Sequence, residues 1–224
     1  MKNKLILGTV QFGIDYGVNN VSGKPSEKKI KEILDLAFLK GIRILDTAEA
    51  YGDSQNRIGD YHKNNSNKFK ILTKYSPTRK DFPKEIIDRV NNNLNILGVN
   101  NLYSYMFHSF HDYKKYFPFI KNDLIRLKKE LKIKKIGVSL HSNAEIEEVL
   151  KNNEIKLIQL PYNLLDNSYK REEVIKKAKH QGVEIHTRSV FLQGLFFKNV
   201  NDLDGNLNRL KNELKKLNNL IPED

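Results

Sequence analysis

Two periods of hydrophobicity alternate along the chain: short apolar runs bounded by turn residues, and longer segments in which apolar side chains return every three or four positions. The first pattern predicts buried strands and the second predicts amphipathic helices. Leu5-Ile6-Leu7-Gly8-Thr9-Val10 is the first strand and opens into a turn-rich stretch from Gly13 to Asn20. Pro25-Ser26 starts a helix, with Ser26 placed as its cap, Ile30, Ile33, Leu34, Ala37 and Phe38 on one face, and Gly41 closing it. The second strand ends in Asp46. A helix from Ser54 to about Tyr61, a strand over Lys70–Lys74, and a helix from Lys84 to Leu97 follow. Next come a strand over Leu102–His108, a helix from about Tyr116 to Leu131, a strand over Lys135–Ser139, and a helix capped by Asn143 and running through Leu150. A strand over Leu157–Leu160, a helix from about Arg171 to His180, and a strand over Val183–Ser189 complete the series.

Strands that return about every 30 residues with helices between them imply parallel β/α architecture, and this many repeats favours a barrel over an open sheet. The expectation is one domain over residues 1–224, an incomplete (β/α)8-type (TIM) barrel of about seven β/α units. In residues 201–224 the spacing of Leu203, Leu207, Leu210, Leu214 and Leu217 predicts one amphipathic helix, and no eighth strand follows. The first and seventh strands then become open edges. The leucine stripe would cover the gap or form a homodimer, and packing on its own barrel is the preferred reading.

Composition narrows the function classes. With 39% hydrophobic and 29% charged residues the chain reads as a globular protein, and no apolar run approaches the ~20 residues of a membrane span. No signal peptide is visible at Leu5-Ile6-Leu7, and the absence of cysteine excludes disulfides and thiolate chemistry, which fits a cytoplasmic protein. A net charge of +12 suits anionic ligands, but the lysines (Lys28, Lys29, Lys31, Lys40) are scattered through helices beside asparagine instead of forming a stripe with aromatics. Nucleic acid is not an expected partner.

The chemistry gathers at strand ends. Asp46, Lys74, His108, Ser139, Gln159 and Arg188 occupy equivalent positions in successive repeats, where barrel enzymes build their sites. An apolar strand cannot hide an unpaired Asp46, so it needs a cation or solvent. Tyr51, one short loop on, is a weak acid at its ordinary pKa of ~10; a lysine beside it would lower that value, and Asp46 would orient the lysine. His108 would orient a carbonyl or hydroxyl. The set is an acid–base centre and not a metal site, because lysine and tyrosine spoil the ligand set and His108 has no partner at ligand spacing.

These residues, in this order, resemble the aldo-keto reductase family. Gly8-Thr9, Leu45-Asp46-Thr47-Ala48 with Tyr51-Gly52, Leu72-Thr73-Lys74, Phe107-His108, Gly137-Val138-Ser139, Gln159 with Pro161-Tyr162-Asn163, and Arg188-Ser189 with Gln193-Gly194 carry the resemblance from about residue 4 to residue 197. It implies a (β/α)8 barrel and reduction of an aldehyde or ketone by NADPH or NADH, with a small carbonyl compound or a sugar or sugar nucleotide as substrate. Tyr51 would be the general acid, Lys74 and Asp46 its tuners, and His108 the orienting group. Gly8, Thr9, Ser139, Gln159, Arg188 and Ser189 fall at cofactor-binding positions, Ser139 and Gln159 at those that hold the nicotinamide carboxamide. The chain is a short form: the eighth strand and the loop that grips the cofactor 2′-phosphate are missing, Arg188 stands where many members carry an aromatic, Leu140 replaces an asparagine, and Gln55 replaces a glutamate. Proton transfer without a cofactor, as in a sugar or nucleotide-sugar isomerase, epimerase or mutase, is the alternative reading of the same centre.

Overall fold

Seven parallel strands lie side by side in chain order: β1 (Leu7–Gly8), β2 (Ile44–Asp46), β3 (Lys70–Tyr75), β4 (Ser104–Phe107), β5 (Ile136–Ser139), β6 (Ile155–Pro161) and β7 (Glu184–Arg188). Together with the helices between them they form a curled, incomplete β/α barrel whose edges are β1 and β7. The computed structural model describes residues 4–77, 85–203 and 205–219. The helices are α1 (Val10–Gly13), α2 (Glu27–Leu39), α3 (Ser54–Asn64), α4 (Ile86–Leu97), α5 (Phe110–Lys129), α6 (Asn143–Val149), α7 (Ser168–His180) and α8 (Lys211–Asn218).

Strand alternation decides what lines the barrel. Leu45, Ile71, Tyr75, Tyr105, Phe107, Ile136, Val138, Ile158 and Leu160 join one large core with the helices. Their neighbours one residue along must then face the inside of the curl. There Leu72, Met106 and Leu157 form a small separate cluster. Gly137 has no side chain because a Cβ would come within 2.8 Å of Met106 Cγ and 2.9 Å of the Leu157 carbonyl oxygen. Continuing along the same inner columns toward the strand ends gives Asp46, Lys74, His108, Ser139, Gln159 and Arg188.

Several boundaries differ from the sequence expectation, each for a local reason. β1 pairs over two residues only, because the chain turns into α1 straight after Thr9. α5 starts six residues earlier than expected, at Phe110: the Ser109 hydroxyl accepts from the Asp112 amide at 3.0 Å, and Tyr113, Tyr116, Phe117 and Ile120 supply a buried face that carries the helix past Pro118. Ser142, not Asn143, caps α6, in a reciprocal box with Glu145. The expected start of α4 at Lys84 lies outside the described residues.

The C-terminal segment is not one helix from residue 201. Val200–Asp202 and Gly205–Leu210 are 3-10 turns, and the α-helix begins at Lys211. Asn206 and Asn208 are weak helix formers, and Gly205 takes a positive φ of 49° that an α-helix does not accept. The leucine stripe nevertheless packs within its own chain. Leu203 and Leu214 bury against Leu195 and Phe196, with Val18 at the margin, so the segment bridges the stretches that follow β7 and β1.

Candidate active site

Three short loops fix the centre. The Thr9 hydroxyl donates to the Asp46 carbonyl at 2.9 Å, and the Ser54 hydroxyl lies 2.9 Å from the Thr9 carbonyl and 3.2 Å from the Thr47 hydroxyl. This buried cluster ties the ends of β1 and β2 to the start of α3, and Tyr51 sits on the turn it anchors. The turn is pressed against α1: a Cβ on Gly13 would lie 1.6 Å from the Tyr51 carbonyl oxygen.

Lys74 is 1% exposed, and its ammonium is spent within the site. It forms an ion pair with Asp46, donates to the Thr47 carbonyl at 3.1 Å, and reaches the Tyr51 hydroxyl at 3.5 Å. The other Asp46 oxygen accepts from the Gln159 amide at 2.7 Å. His108 packs edge-to-face on Tyr51 with 5.7 Å between ring centroids, and its Nδ1 is 2.8 Å from the Ser76 hydroxyl. All four proposed members of the acid–base centre therefore converge.

Electrostatics modifies the expectation for Tyr51. Burial is the largest influence and pushes its pKa up; Lys74 pulls it down, and Asp46 offsets part of that pull. The net shift is upward, so the expected lowering by Lys74 is outweighed by desolvation. At rest Tyr51 holds its proton and is an acid. Burial, helped by Lys74, also lowers the His108 pKa, so its imidazole is neutral at pH 7.

The other sequence candidates fall into two groups. Ser139 and Gln159 are register partners, 3% and 2% exposed, at the ends of β5 and β6. The Gln159 side-chain carbonyl oxygen is buried and has no hydrogen-bond partner among the described residues. A primary amide such as a nicotinamide carboxamide would supply the donor that this oxygen lacks, so these residues fit the cofactor implied by the sequence. Arg188 and Ser189 stand at the end of β7, and Ser189 takes a positive φ of 56°. Gly8 lies on the exposed edge of β1, whereas Thr9 is fully buried with its hydroxyl committed to the scaffold.

Sequence reasoning missed a second polar hub directly behind the site. The Glu49 carboxylate accepts from Tyr105 at 2.7 Å, Asn93 at 2.8 Å, Arg89 at 2.8 Å and the Ser76 amide at 3.1 Å. Arg89 also donates to the Ser76 carbonyl at 3.1 Å, so both backbone groups of the residue beside His108 are held. The only signal in the chain was the i, i+4 spacing of Arg89 and Asn93 next to an apolar helix face. A cavity of about 510 Å³ adjoins this hub, lined by Glu49, Gln55, Arg89 and Asn93, but Tyr51, Lys74 and His108 do not line it. Among the described residues no group of three His, Cys, Asp or Glu side chains is placed to hold a metal ion. No helix among them is long and apolar enough to cross a membrane.

A curled, incomplete parallel β/α barrel thus gathers Tyr51, Lys74, Asp46 and His108 at the end where its strands finish. The model of the aldo/keto reductase family matches residues 4–221, and the chain belongs to that family. This places it among oxidoreductases that act on carbonyl groups and generally use NAD(P)H. Aldo-keto reductase AKR11C1 from Bacillus halodurans, in its holo form, superposes with a TM-score of 0.75 at 24% identity, over 98% of this chain and 73% of its own. A Pseudomonas aeruginosa protein assigned to the aldo-keto reductases gives 0.66 at 27% identity over 80% and 70%. The glycerol dehydrogenase AKR11B4 from Gluconobacter oxydans gives 0.69 at 22% over 93% and 66%. No curated protein sequence matches the chain significantly. Nothing in the family or these neighbours points to the isomerase alternative.

Proposed function

We propose that the protein reduces an aldehyde or ketone with NADPH or NADH, and that Tyr51 delivers the proton. The observation that carries this reading is the Tyr51 hydroxyl 3.5 Å from a fully buried Lys74 that is itself paired to Asp46. Ser139, Gln159 and Arg188 would hold the nicotinamide of the reduced dinucleotide, which would supply the hydride. Tyr51, protonated at rest, gives its proton to the carbonyl oxygen as negative charge develops there. The Lys74 ammonium stabilises the phenolate left behind, and Asp46 with Gln159 keeps that ammonium from swinging away. His108, neutral and with Nδ1 engaged by Ser76, presents Nε2 for a hydrogen bond to the same oxygen. Small sugar-like aldehydes are the first substrates to test.

Oxidation of NADPH and NADH followed by absorbance over a panel of aldehydes tests this directly. Tyr51→Phe should lose at least ~100-fold in kcat while still binding the dinucleotide. Absence of saturable binding of either dinucleotide at millimolar concentration, or full activity in Tyr51→Phe, would overturn the reading.

A further inference from the structure

Glu49 ties together the two sides of the acid–base centre. It lies on the loop after β2, between Asp46 and Tyr51, and its amide donates to the Lys74 carbonyl at 3.2 Å. One oxygen of its carboxylate accepts from Tyr105 and Asn93, the other from Arg89 and the Ser76 amide. The Asn93 amide cannot turn over, because its oxygen accepts from Gln55 at 2.7 Å. A buried network satisfied in this way has one arrangement. Its far side is Ser76. Glu49 takes the Ser76 N–H at 3.1 Å and Arg89 donates to the Ser76 carbonyl at 3.1 Å, so the peptide groups on both sides of this residue are fixed. The Ser76 hydroxyl has one hydrogen-bond partner among the described residues, His108 Nδ1 at 2.8 Å.

The tautomer of His108 decides whether it can assist. A neutral imidazole carries one N–H, and a hydrogen bond to a carbonyl oxygen requires it on Nε2, which leaves Nδ1 as the acceptor. With no other acceptor in reach among the described residues, the Ser76 O–H points at Nδ1 and selects that tautomer. It does so only while the Ser76 backbone holds its place, and the hub is what holds it. We propose that Glu49 is a positioning residue of the reduction: through the Ser76 peptide, with Arg89 as the second arm, it keeps His108 in the Nε2–H form that donates to the substrate carbonyl. The benefit to carbonyl turnover rests on the reductase reading. The clamp on His108 does not.

Glu49→Gln keeps the shape of the side chain but turns one acceptor oxygen into an amino group that faces two donors. Arg89→Lys, which can no longer fork between the Glu49 carboxylate and the Ser76 carbonyl, is the second variant should the first fail to fold, as judged by thermal unfolding. The first arm of the test needs no substrate. Nitrogen NMR of His108 at pH 7 should show the Nε2–H tautomer in the parent and a mixture in the folded variant. A mixture already in the parent, or a parent-like spectrum in the variant, overturns the proposal. The second arm is kinetic, on the best aldehyde. Glu49→Gln should lower kcat about 10- to 100-fold with dinucleotide affinity unchanged, but cost no more than about threefold in a Ser76→Ala background, where its route to His108 is gone. An equal cost in both backgrounds, or a loss explained wholly by weaker dinucleotide binding, also overturns it. If the His108 spectrum shifts as expected while the parent reduces no aldehyde, the clamp stands and the reductase reading is what fails.

Discussion

Replacing Gly13 by Ala should disable the site from a residue that touches no substrate. Its φ is in an ordinary region, so the substitution adds a methyl group and little backbone strain, but that methyl would lie 1.6 Å from the Tyr51 carbonyl oxygen and 2.6 Å from the Ser54 nitrogen. An ordinary contact needs ~3.5 Å, so α1 and the Tyr51 turn must separate by roughly 2 Å. Backbone atoms cannot step aside as a flexible side chain can. The turn is closed by Tyr51 N–H to Ala48 and Ser54 N–H to Tyr51 bonds, each 3.0 Å, and both are at risk. Overpacking costs about 1–3 kcal/mol, and each lost bond adds about 1 kcal/mol. The entropy gained by replacing glycine returns at most about 1 kcal/mol. A net loss of about 3 kcal/mol lowers Tm by roughly 6–12 °C in a chain of this size. Even a 1 Å displacement of Tyr51 from Lys74 should cost about 100-fold in carbonyl reduction. The measurements are thermal unfolding by circular dichroism and kcat on the best aldehyde. Gly8→Ala is the stability control, because its Cβ would meet nothing within 4 Å; it should stay within about 0.5 kcal/mol of the parent. A Gly13→Ala protein with Tm within 2 °C of the parent would refute the packing argument.

Three further outcomes follow from the same geometry. Lys74→Met leaves Asp46 without its cation and should cost about 3 kcal/mol in urea unfolding, and adding Asp46→Asn should recover part of the loss; additive losses would mean that the two are not coupled. Ser76→Ala should shift the tautomer balance of His108, read by nitrogen NMR, with Ser76→Thr restoring the parent spectrum; an unchanged spectrum in Ser76→Ala would show that the hydroxyl does not hold Nδ1. Glu184 accepts from His186, Lys135 and Tyr103, and these partners hold its pKa down at about 2. A depressed carboxylate pKa contributes stability that is complete above the unfolded value of ~4.3 and is lost as pH falls toward about 2. Glu184→Gln should therefore flatten the acid limb of stability against pH, and an identical acid limb in the two proteins would count against this network.

The seven strands were legible because each carries its own apolar run, and their shared periodicity told which polar residues end on the same face. The misplaced boundaries lie where local chemistry competes with period. Pro118 masked the first two turns of α5, and the 3-10 turns before Lys211 share the leucine spacing of a true helix without its propensity. The Glu49 hub was illegible because its parts come from the stretch after β2, the end of β3, β4 and α4, which nothing in the one-dimensional pattern brings together.

By itself the sequence determined which groups end on one face: a carboxylate, a lysine and a histidine at successive strand ends, with a tyrosine one loop away, because strand alternation has a period of two and needs only local order. Only the tertiary structure decided how these groups behave. Burial is a property of the assembled barrel, and it raises the Tyr51 pKa over the opposing pull of Lys74. Likewise, a charge is paired or unpaired only once the neighbouring strands and loops are in place. That is why Arg188 appears in the chain as one arginine among several, and in the barrel as a half-buried cation that reaches Ser189, Leu140 and His141 and has no carboxylate partner among the described residues.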